Sequence, residues 1–156
     1  MMDKRFLREA IRLSIEEMQA GVGGPFGAVV VRDGRILGTG CNRVTSAHDP
    51  TAHAEIVAIR DACARIEQFS LAGCELYASC EPCPMCLAAI YWARLDRLVY
   101  AATRADAAAA GFDDARIYDE IPRPPETRSL PTVQALRDEA LAAFRAWAAK
   151  ENRIEY

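Results

Sequence analysis

Ser79-Cys80-Glu81-Pro82-Cys83-Pro84-Met85-Cys86 is the stretch on which the reading of this chain turns. Pro84 suits the first turn of a helix, and Cys83 and Cys86, three residues apart at that start, can bring both sulfurs to one point. A helix N-terminus favours the thiolate over the thiol, and the thiolate is the form that binds metal. Upstream lies His53-Ala54-Glu55, also near a predicted helix start. Two thiolates and one imidazole make a borderline-soft donor set that suits one zinc ion per chain. Three protein ligands leave the fourth tetrahedral position open for water, the pattern of a catalytic site. Glu55, two residues after His53, can project into the same cavity without binding metal and move protons between water and a substrate nitrogen.

Other readings of the same residues stand beside this one. Cys80, Cys83 and Cys86 with His53 could build a closed structural zinc site, which leaves Glu55 without a role. Cys80 and Cys83 could form a redox pair. Cys41, Cys63 and Cys74 read as small apolar fillers, and His48 as a loop residue outside the motif. A disulfide framework does not fit, because 156 residues can support a core and Met1 to Phe6 leads into no signal-peptide hydrophobic run.

Outward from the cysteines, the chain reads as alternating helices and strands. Asp3 is a helix N-cap followed by Leu7, Ile11, Ile15 and Met18 at helical spacing, ending before Gly21. Phe26 to Arg32 reads as a buried strand, and Asp33-Gly34 turns it into Arg35 to Thr39. Asp49-Pro50-Thr51 opens a second helix running towards Ile66. Strand Glu75 to Ser79 precedes the cysteine helix, which the pattern carries to about Leu95. Strand Arg97 to Ala102 and an alanine-rich turn near Asp106 follow. This alternation predicts an α/β fold, a three-layer αβα sandwich around a mixed sheet that begins with a hairpin. Residues 122–131 hold four prolines and read as an arm; a last helix carries Val133, Leu136, Ala140, Phe144 and Trp147 at helical spacing. The whole of 1–156 reads as one domain, with 122–156 folding back or exchanging onto a second subunit.

Composition narrows the partners. The formal net charge is -3 and no basic stripe stands out, which argues against a nucleic-acid partner. No apolar run is long enough to cross a bilayer, so no membrane partner is expected and the cytoplasm is the expected compartment.

The chain resembles the bacterial guanine deaminases of the cytidine deaminase superfamily. The likeness rests on Gly23-Gly24-Pro25-Phe26-Gly27-Ala28, Asn42, Asp49 through Arg60, Ser79 through Arg94, Ala110-Gly111-Phe112-Asp113-Asp114 and the terminal Tyr156. The His-x-Glu and Pro-Cys-x-x-Cys elements point only to zinc deaminases as a group. Ile90-Tyr91-Trp92-Ala93-Arg94, the Gly-Phe-Asp-Asp segment and the terminal tyrosine point to the guanine branch. The resemblance implies hydrolysis of guanine to xanthine and ammonia, with related aminated heterocycles such as aminotriazines as further candidates. It implies a base pocket drawn from Phe26, Asn42, Ala54, Trp92, Phe112 and Tyr156, with catalytic carboxylates Glu55 and Asp114 and a further candidate, Asp119. It also implies a homodimer that exchanges its C-terminal segment. The competing reading is a tRNA adenosine deaminase, which shares the metal motif and needs a basic face.

Overall fold

The computed structural model describes residues 2–156. The chain divides into two compact units, one ending at Asp114 and the other spanning Ala115–Tyr156. In the first, α1 (Lys4–Gln19) leads to the hairpin β1 (Gly27–Arg32) and β2 (Arg35–Cys41). Then come the short α2 (Val44–Ala47), α3 (Ala54–Ile66), β3 (Glu75–Cys80), α4 (Pro84–Trp92), β4 (Arg97–Ala102) and α5 (Arg104–Ala109).

The four strands form one mixed sheet in the order β2-β1-β3-β4. β1 runs antiparallel to both neighbours, while β3 and β4 are parallel. Asp33 and Gly34 both take positive φ, as a two-residue hairpin turn requires. The pleat sends alternate residues of β1 and β3 to opposite faces. Ala28, Val30, Leu76 and Ala78 pack with Ala54, Ala58 and Ala62 of α3 and Ile90 of α4. Val29, Val31 and Tyr77 pack on the other face with Phe6, Leu7 and Leu13 of α1. The αβα sandwich expected from the alternation is therefore the fold.

Helix-to-sheet distances are set by missing side chains. A Cβ on Gly40 would lie 2.1 Å from the Ala54 carbonyl oxygen and 2.5 Å from the Ala58 nitrogen, so α3 sits directly on the β2 backbone. Gly27 meets α1 in the same way, 2.2 Å from the Ala10 carbonyl oxygen. That second contact selects the buried face of α1. The buried positions are Phe6, Ala10 and Ser14, while Ile15 and Met18 stay exposed. Close approach selects Ala10 and Ser14 against Gly27, while Phe6, Leu7 and Leu13 pack beside them.

Helix boundaries differ from expectation in three places. Asp49 does not start α3; its carboxylate accepts from the Thr51 N–H at 2.8 Å and closes a turn, and the helix begins at Ala54 with His53 as N-cap. α4 stops at Trp92 rather than near Leu95, because Arg94 turns left-handed at φ 59° and the Leu95 N–H closes back on the Ile90 carbonyl. In the second unit, α6 (Ala115–Glu120) and a 3₁₀ turn (Pro125–Thr127) precede α7 (Arg137–Ala149). Val133 and Leu136 lie outside α7, since Leu136 is its left-handed N-cap.

Gly40→Ala is expected to destabilise the protein by about 1–3 kcal/mol, because the new methyl must push α3 off the sheet. Urea unfolding would register this as a lower midpoint.

Candidate metal centre and active site

Three of the predicted residues meet at one point. His53 is the N-cap of α3, Cys83 is the N-cap of α4, and Cys86 lies one turn into α4. His53 Nδ1 is 3.5 Å from Cys83 Sγ and 3.5 Å from Cys86 Sγ. A tetrahedral zinc with ordinary Zn–N and Zn–S bonds places such atoms about 3.5 Å apart. The donor atoms of all three lie within 4.8 Å of one another. The donor chemistry and the spacing both fit zinc. Cys80 does not join them; its thiol turns to the Thr103 carbonyl at 3.6 Å. The closed four-ligand reading therefore falls, and the three-ligand set stands.

The Cys83 thiol is pushed down to about 4, first by the hydrogen bond from Cys86 and then by His53, while the Cys86 thiol is raised by the same bond. His53 is raised from its usual value, chiefly by its bond to Cys83. A metal taking all three donors must displace these protons.

Glu55 follows on the first turn of α3 and is only 8% exposed. Burial pushes its carboxyl up, and its side chain interacts with the Cys86 thiol. A carboxyl raised towards neutrality beside the donors is suited to taking up and returning a proton.

Asn42 lies just past β2 and is buried. Its side-chain oxygen accepts from the Gly24 and Val44 N–H groups, each at 3.2 Å. Its own N–H donates to the Phe26 carbonyl at 3.0 Å. Both bonds to the side chain come from donors, which fixes the amide orientation and leaves the NH₂ as the presented group. Phe26 meets Phe112 edge to face, with centroids 4.9 Å apart. Both rings also line an apolar cavity of about 360 Å³ with Ser79 and Cys80, which none of the metal donors borders. Ala54, between His53 and Glu55, is buried against β2. Asp114 stands 4.0 Å from Arg104 as an ion pair. Trp92 ends α4 at 68% exposure. Tyr156 and Asp119 belong to the second unit, Tyr156 at 73% exposure and Asp119 exposed on α6.

Contacts at the rim went unforeseen. Glu81 ties the cysteine loop to α5 by accepting from the Arg104 N–H at 3.0 Å. The only sequence signal for it is a carboxylate inside the cysteine motif.

Residues 1–102 match the family model for the cytidine and deoxycytidylate deaminase zinc-binding region. The chain belongs to this deaminase family. It is 53% identical to the guanine deaminase of Bacillus subtilis (strain 168) across the full length of both. The X-ray structure of the Bacillus subtilis enzyme superposes with a TM-score of 0.97 at 52% identity, covering 100% of this chain and 99% of that one. A guanine deaminase structure from Nitrosomonas europaea matches at a TM-score of 0.69 and 32% identity, over 93% of this chain and 84% of that one. The tRNA-specific adenosine deaminase of Aquifex aeolicus (strain VF5) is 40% identical over 97 residues, 62% of this chain and 64% of that protein. Membership in a zinc deaminase family and the donor geometry agree: the protein is a zinc-dependent deaminase.

The purified protein is expected to carry one zinc per chain, and Cys86→Ala to lose it. Because every donor must be deprotonated to bind, zinc content should fall as pH falls. Metal analysis after equilibration across a pH series measures both.

Proposed function

We propose that this chain catalyses the hydrolytic deamination of guanine to xanthine and ammonia. The observation that carries the substrate is where similarity persists. The guanine deaminase relative matches the full length of the chain, through residues 122–156, whereas the tRNA deaminase relatives match between 50% and 72% of it. A net charge of -3 also fits a small base better than RNA.

Zinc held by His53, Cys83 and Cys86 would supply Lewis acidity towards water. Glu55 accepts a proton from that water and delivers it to the ring nitrogen beside the amine-bearing carbon. A carbon–oxygen bond forms there, the carbon–nitrogen bond breaks, and the amine leaves as ammonia with the second proton. Asn42 donates its NH₂ to an acceptor on the base edge. Phe26 and Phe112 flank the base, Ala54 underlies it, and Asp114 faces it as a second carboxylate. Asp119 is the further candidate for protonating the leaving amine.

In this reading residues 1–156 serve one deaminase domain, working as a homodimer in the cytoplasm with 122–156 exchanged. Tyr156 then closes the base pocket, and Trp92 is a further stacking surface for the base. Support comes from apolar surface without cover in the single chain. Val133 is 89% exposed, and Leu136, Phe144 and Ile154 are strongly exposed. Among the described residues no helix is long and apolar enough to cross a membrane, and none of the six cysteines forms a disulfide.

Glu55→Gln is expected to retain zinc while kcat falls ~10²–10⁴-fold. An ammonia-release screen over guanine, other nucleobases, nucleosides, aminotriazines and a tRNA anticodon stem should return guanine first; preference for the tRNA adenosine would overturn the reading. Deleting residues 152–156 is expected to impair turnover with zinc content unchanged, as metal analysis and steady-state kinetics would register.

A further inference from the structure

The segment that carries Asp114 is joined to the metal loop through one residue. Arg104 opens α5, and its backbone N–H donates to Glu81 Oε2 at 3.0 Å. Glu81 lies in the loop that delivers Cys83, and its own N–H donates to the Ala102 carbonyl at 2.8 Å. The neighbouring Cys80 thiol bonds the Thr103 carbonyl. The backbone of Arg104 is thus pinned to the metal loop on its N-terminal side. It is held again by a capping box in which Asp106 Oδ2 accepts from the Thr103 N–H at 2.8 Å and hydroxyl at 2.7 Å.

The side chain of Arg104 faces the other way, with Nε 4.0 Å from Asp114 Oδ1. The Asp114 side chain is 19% exposed, and among the described residues no other cation pairs with it. Gly111, at φ 94°, turns the chain between α5 and Asp114, so this segment has no regular secondary structure to hold the carboxylate in place.

We propose that Arg104 is a positioning residue, which fixes the Asp114 carboxylate relative to the cysteine loop. The proposal rests on the reading of Asp114 as a pocket residue. Through this single contact the pinned Arg104 presents a positive charge to the Asp114 carboxylate from a fixed place. Because the pair is partly exposed it adds little to global stability, so its effect belongs to turnover rather than to folding.

The test is a double-mutant cycle on the zinc-loaded protein with Arg104→Ala, Asp114→Ala and both. Arg104→Ala is expected to lower kcat/KM for guanine by ~10–10²-fold with zinc content and urea midpoint unchanged. In the Asp114→Ala background it should cost nothing more. Arg104→Lys, which keeps the charge, should recover part of the loss. Independent losses in the cycle overturn the proposal. The carboxyl carbon resonance of Asp114 gives a readout without substrate; it should shift in Arg104→Ala and less in Arg104→Lys, and an unmoved resonance also overturns it. If the wild-type protein releases no ammonia from guanine, the substrate reading fails alone, and the resonance still decides the pairing.

Discussion

The placement of His53 and Glu55 depends on how closely α3 lies on the sheet. At Gly40 the helix backbone occupies the space a side chain would fill, and Ala54, Ala58 and Ala62 present no bulk of their own. This contact fixes the start of α3, and His53 and Glu55 are the residues at that start. Packing in a protein interior transmits small displacements, so a single added methyl on β2 reaches the metal donors through one helix.

The second helix start arrives by a different route. β3 is a central strand, and the loop after it returns to β4 through the Glu81 N–H and its side chain. Cys83 and Cys86 are therefore placed by the sheet and by the β4–α5 junction together. The two helix starts converge from separate parts of the fold, and the donors meet only when both are correctly seated.

The donor set and Glu55 were legible because their spacing reflects two local turns, each marked by its own residue pattern. The alternation of elements revealed the layers in the same way. The inward face of α1 was not, because the helical spacing of Leu7, Ile11, Ile15 and Met18 does not mark it, whereas the sheet takes Ala10 and Ser14 against Gly27. The start of α7 was misplaced because apolar spacing carries no mark of the left-handed Leu136. Contacts such as Arg104 with Glu81 and Asp114 join residues far apart in the chain, and one sequence holds no periodicity that would disclose them. The orientation of the Asn42 amide likewise follows from two backbone donors that only the folded loop brings together.

Two of the three donors occupy N-cap positions, and neither side chain caps its helix. A serine or aspartate there would each contribute about 0.5–2 kcal/mol by satisfying free N–H groups. The fold forgoes that stabilisation at both helix starts and leaves it to the bound ion to tether them. The ion thus joins two helix starts that no side chain of their own caps.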